Sequence, residues 1–126
     1  MDEFLKIAKA CADKNRLLML KILQDGGRCV CEIQSVLKIA QPTVSKHLKI
    51  LEEAGLVAHK KEGLWVVYEL TKGEKSPYAA LILGNLRHWF EADPWWGKIR
   101  EKLLTLDRYK AAEEAKLCRG KRWKKV

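Results

Sequence analysis

The chain has 126 residues, with 25 Lys and Arg against 16 Asp and Glu and a formal charge of +9. That length holds one domain around a single modest core, and that charge favours a polyanion such as nucleic acid over an acidic small molecule as partner. Met1 is followed by Asp2 and Glu3 rather than a basic start, and no apolar run approaches the roughly 18–20 residues that span a bilayer, so a cytoplasmic protein with no membrane partner is expected. Its four cysteines are then expected to be reduced, which argues against a disulfide scaffold and for metal binding or redox chemistry.

In chain order, residues 3–12 (EFLKIAKACA) and 15–24 (NRLLMLKILQ) read as helices. The second is apolar almost all the way round through Leu17, Leu18, Met19, Leu20, Ile22 and Leu23, as a buried helix would be. Gly26-Gly27 ends it. Over 30–39, Ile33, Val36 and Leu37 at i, i+3 and i+4 predict a short amphipathic helix. A tight connection at Ala40-Gln41 leads to Pro42, which suits the first turn of a further helix running to Ala54, stopped by Gly55. That helix turns Val44, Leu48 and Leu51 to one side and polar groups to the other. Two short helices joined this way form a helix-turn-helix, with Gln41, Thr43, Ser45, Lys46, His47 and Lys49 as candidates for base edges and phosphates.

Residues 57–61 (VAHKK) and 64–70 (LWVVYEL) are β-branched and aromatic runs flanking Glu62-Gly63, hence a hairpin. Placed directly after a reading helix it is a wing, with Lys60 and Lys61 near its tip to meet phosphate or the minor groove. The apolar run 78–90 predicts a helix, and Ile99, Leu103 and Leu106 predict another over 95–110. The predicted fold class is mainly α with a β-hairpin wing, over residues 1–92. A C-terminal helical extension with a basic tail, RGKRWKKV at 119–126, completes it over 93–126.

Three motifs give this sequence a family likeness. Cys29-Val30-Cys31-Glu32, Gln41-Pro42-Thr43-Val44-Ser45-Lys46-His47-Leu48 and Gly63-Leu64-Trp65 together resemble the winged helix-turn-helix of the ArsR/SmtB metalloregulatory repressors, of the arsenic-sensing type. The resemblance implies a homodimer, joined through the first and last helices, that binds a near-palindromic double-stranded operator and releases it when a metal or metalloid binds. It also implies that the Cys-x-Cys element takes As(III) or Sb(III), with Cd or Pb as alternatives.

The chemistry of the cysteines agrees with that expectation. At a helix start, backbone N–H groups, the helix dipole and Arg28 all favour thiolate at Cys29 and Cys31, and thiolates select soft ions. A regular helix sets residues i and i+2 about 200° apart, so convergence on one ion requires the first turn to unwind, which suggests a switch. The arsenic pattern often has a third cysteine where Gln34 stands, so Cys118, Cys11 or a solvent thiol has to complete the site. The zinc pattern of the family is half present in His88 and Glu91, but Lys75 and Pro77 occupy its other half. Ala40 stands where a serine commonly caps the reading helix.

Two other readings use the same thiols. A redox-responsive repressor would join Cys29 to Cys31 in a strained, easily reduced disulfide. From a different class, a zinc-stabilised RNA-binding module would need a second Cys/His pair at finger spacing, and a thiol–disulfide enzyme would need Cys-x-x-Cys near a βαβ unit. With no nucleophile triad and no phosphate-cradling glycine loop, no enzyme activity is expected.

Overall fold

A computed structural model describes residues 1–119, with side chains through residue 113. The expected third ligand Cys118 lies outside the described side chains, and tail residues 120–126 lie outside the described residues.

Helices α1 (Asp2–Cys11) and α2 (Lys14–Ile22) meet at Asp13, whose carboxylate accepts the Arg16 backbone N–H at 3.1 Å and so caps α2. Leu18, Met19, Leu20 and Ile22 are all buried, as the apolar run of α2 requires. A 3₁₀ turn, Leu23–Asp25, then brings the chain against the hairpin. A Cβ at Gly27 would stand 2.6 Å from Val67 Cγ1 and 3.3 Å from the Tyr68 carbonyl oxygen, so glycine alone lets the backbone pass this close.

Past that glycine lies a strand the sequence did not announce. Strand β1 (Arg28–Cys29) pairs antiparallel with the wing strand Trp65–Leu70, setting Arg28 opposite Tyr68 and Cys29 opposite Val67. Helix α3 (Val30–Leu37) begins at once and stops short of the expected residue 39, because Lys38 takes a left-handed φ of +56°. Helix α4 (Gln41–Glu53) opens with Pro42 in its first turn and no side-chain cap from Ala40. Val44, Leu48 and Leu51 fill the core from its inner face. Strands β2 (Val57–Glu62) and β3 (Trp65–Leu70) form the wing, with Gly63 at φ +61° in the first position of the two-residue turn, and the sheet order is β1-β3-β2.

The expected 78–90 helix is interrupted. Helix α5 (Pro77–Asn85), capped by Ser76, gives way to a 3₁₀ turn at Leu86–His88. Asp93 caps α6 (Pro94–Leu104) and Asp107 accepts the first backbone N–H groups of α7 (Arg108–Arg119). Trp96, Ile99 and Ala112 join the core cluster that holds Met19, Ile33 and Leu48, while Trp89 and Trp95 stay exposed. Among the described residues, no helix is long and apolar enough to cross a membrane.

A buried lysine locks α2 to the C-terminal half. Lys21 is 1% exposed and donates to Glu91 at 2.8 Å and to the Leu86 carbonyl at 3.0 Å, with Trp96 and Arg100 also bonding the Glu91 carboxylate. Glu91→Ala leaves that ammonium with one neutral acceptor. Partial exposure of Glu91 moderates the loss, so urea unfolding is expected to show a lower midpoint at unchanged slope.

Candidate functional site

Cys29 ends β1 and is the N-cap of α3, with extended backbone at φ −81° and ψ 163°. Its N–H donates to Glu32 Oε1 at 2.9 Å, and its sulfur accepts the Glu32 N–H, so cysteine stands where a capping box ordinarily has serine or threonine. Because Cys29 lies before the helix rather than in it, the 200° separation expected of two helical positions about a single axis does not arise. The Cys29 and Cys31 thiols adjoin closely enough to influence each other's ionisation without any unwinding of α3.

Both thiols are buried, Cys31 at 0% exposed. The hydrogen bond from Cys31 holds the Cys29 thiol below the usual cysteine range, against the opposing effect of burial. The same contact, with burial and the negative charges of Cys29 and Glu32, pushes Cys31 far up. Of the two thiols, Cys29 therefore gives up its proton first and Cys31 holds its proton more firmly. Glu32, 4% exposed, organises the surroundings by accepting from Arg28 Nη1 at 3.1 Å and from Arg108 Nε at 3.2 Å. The Cys31 sulfur also lies 3.9 Å from the Arg108 carbonyl oxygen, its acceptor on α7.

Cys11 does not join the pair. It ends α1, half-buried against the core, where desolvation raises its pKa. Among the described residues no group of three or more His, Cys, Asp or Glu is arranged to hold a metal ion. The half-site for a harder ion is also occupied otherwise: His88 is exposed, and the Glu91 carboxylate is committed to Lys21, Trp96 and Arg100. What the described residues supply is two adjoining sulfurs, a donor set that suits a soft thiophilic ion better than a hard one.

On α4, Thr43, Lys46 and Lys49 are exposed and Gln41 and Ser45 half-exposed, while the apolar face of the helix is buried. His47 is less free than its neighbours, since its Nδ1 is 3.0 Å from Arg16 Nη1 and Arg16 is itself anchored on the Ala10 carbonyl at 2.7 Å. In the wing, Lys61 is exposed, whereas Lys60 lies between Glu62 at 3.5 Å and Glu69 at 3.4 Å. His59 pairs with Glu52 at 2.7 Å, tying the root of the wing to the end of α4.

A helix-turn-helix with an exposed, basic second helix and a β-hairpin beside it defines a winged-helix DNA-binding protein. Comparison with known proteins narrows this. Residues 13–59 match the family model described as bacterial regulatory protein, arsR family. Over 64 residues the chain is 50% identical to an uncharacterized HTH-type transcriptional regulator of Methanocaldococcus jannaschii, covering 50% of this chain and 72% of that protein. It is 38% identical over 68 residues to the arsenical resistance operon repressor of Escherichia coli, covering 53% of this chain and only 58% of that repressor. Among solved structures, the homodimeric winged helix-turn-helix DNA-binding domain of a possible ArsR-family regulator from Mycobacterium bovis superposes with a TM-score of 0.57 at 27% identity, over 74% of this chain and 86% of that one. The chain belongs to the ArsR/SmtB family of transcriptional repressors. It is a DNA-binding regulator, not an enzyme.

Arg16 and Arg108 are site residues that the sequence did not bring forward, and Glu32 was read only as the acid of the Cys29-Val30-Cys31-Glu32 motif, without its capping role. Glu32 carried a signal, an acid three residues after an N-cap, which was hidden because the cap is a cysteine. For Arg108, contacting a residue 76 positions earlier, the sequence holds no signal.

Proposed function

We propose that the protein is a homodimeric repressor that holds a near-palindromic operator with α4 and the wing and releases it when a soft ion, As(III) or Sb(III), binds Cys29 and Cys31. The observation that carries this reading is that Cys29, at the N-cap, and Cys31, in the first turn of α3, place two buried thiols side by side, with Cys29 the more readily ionised. Each thiol displaces one hydroxide of arsenous acid; an As–S bond replaces an As–O bond, and the thiol proton leaves with the hydroxide as water. No electron transfer is needed. A third sulfur, from Cys118 or a solvent thiol, would complete the coordination. The names of the relatives support a metal or metalloid inducer, since one is an arsenical resistance operon repressor and another a cadmium resistance regulatory protein homolog. Residues 1–92 serve as the DNA-binding and dimerisation unit in this reading, and 93–126 as an extension upon it.

The test is titration of the reduced protein with arsenite, read by native mass, thiol labelling and release from duplexes selected from a random pool. One ion per chain with Cys29 and Cys31 protected is expected, and the double variant Cys29→Ser, Cys31→Ser is expected to stay on DNA at every arsenite concentration. Release of that variant would place the sensor elsewhere. If arsenite leaves wild type bound while Cd(II) or Pb(II) releases it, the site stands and the ion is different.

A thiol-redox repressor is the second reading. It draws on the same sulfur contact and on the lack of a three-ligand cluster among the described residues. Release by peroxide alone, reversed by a dithiol, would favour it.

The dimer has its own test. Phe4, Tyr78 and Leu81 are exposed, and the Phe4 and Tyr78 rings meet edge-on at 5.3 Å, giving α1 and α5 an apolar surface suited to a second copy. Leu81, 64% exposed, can be changed without disturbing the core. Leu81→Glu is expected to give monomers by light scattering and to weaken operator binding.

A further inference from the structure

The first turn of α7 touches the thiol pair on one side and the wing on the other. Toward the thiols, the Arg108 carbonyl oxygen lies 3.9 Å from the Cys31 sulfur and the Arg108 Nε 3.2 Å from Glu32 Oε1. Toward the wing, the same guanidinium stands 5.8 Å from the centroid of Trp65 and 4.0 Å from Glu62 Oε1, and the next residue, Tyr109, packs edge-on against Trp65 at 5.6 Å. Glu62 and Trp65 flank the wing turn. One short segment from the far end of the chain thus spans the thiols and the wing.

We propose that the first turn of α7 is a relay between Cys31 and the wing, with Arg108 and Tyr109 as its positioning residues. The inference rests on the sensor reading above for its purpose, but not for its test. Cys31 has no exposed surface, so any atom added to its sulfur needs space that the Arg108 backbone now fills. If that turn moves, Arg108 leaves Glu32 and the ring contacts with Trp65 go with it. Because coupling between two sites is reciprocal, a wing held by DNA must in turn restrain the cover over Cys31.

That consequence can be measured with no ion present. A buried thiol reacts only when its cover opens, so the rate at which iodoacetamide alkylates Cys31 in the full chain reports the opening of α7. In wild type, a bound duplex selected from a random pool is expected to slow alkylation at least about five-fold. Tyr109→Ala removes a ring that is 72% exposed, so the fold should survive. It is expected to cut the protection to less than about two-fold, as is Arg108→Ala, while Tyr109→Phe keeps the ring and the protection. Equal rates in wild type with and without DNA would overturn the relay. Full protection in both alanine variants would do the same, because DNA would then be shielding the thiol directly. Arsenite-driven release with no such coupling leaves the sensor and removes the relay; coupling without any response to arsenite does the reverse.

Discussion

Glu32→Ala is expected to cost about 3 kcal/mol or more of folding stability, seen in urea as a lower midpoint at unchanged slope. Three groups lose a partner together: the Cys29 N–H, the Arg28 guanidinium and the Arg108 guanidinium, which keeps only the longer pairing with Glu62 at 4.0 Å. The N–H is buried and has to go unsatisfied, while the two arginines, 26% and 28% exposed, regain some water and soften the loss. Glu32→Gln keeps an oxygen for the cap and is expected to fall between the alanine variant and wild type. A loss under about 1 kcal/mol for alanine would mean that β1 and α3 hold their positions without this carboxylate.

The second large effect is on DNA. Lys46→Ala combined with Lys49→Ala is expected to lower the slope of log affinity against log salt by about 2, near 0.9 for each phosphate no longer neutralised, on selected and unselected duplexes alike. The wing supplies an internal comparison. Lys60 is already placed between two glutamates and Lys61 is not, so Lys61→Ala should flatten the salt dependence more than Lys60→Ala does. Equal slopes for wild type and the α4 double variant would show that the backbone of the duplex lies on another face.

Most of the fold was legible because it rests on local rules. The apolar period of α2, Pro42 in the first turn of α4 and Gly63 at the hairpin turn each need only neighbouring residues to be read. What escaped is non-local. Two residues are too few to show a strand's alternation, so β1 had no signature, and its pairing with β3 is visible only in the steric demand at Gly27. Cys29 and Cys31 were readable as a candidate pair from spacing and charge. Their mutual contact was not, because it depends on Cys29 sitting at the N-cap rather than inside the helix. His47 looked like a free member of the reading face, but Arg16, from a helix earlier in the chain, stands against it.

The pairing of Cys29 with Val67 has a mechanical side. The wing is a cantilever whose root is clamped beside one sulfur, and its tip at Gly63 lies four residues farther along the same strand. At about 3.3 Å per residue the arm is ~13 Å long, so a tilt of about 10° at the root swings the tip ~2 Å, enough to break a hydrogen bond to a phosphate. A disturbance the width of an atom is geared up by the length of the arm. The fulcrum is Gly27, where the backbone presses so closely on Val67 that a methyl group would already tilt the beam.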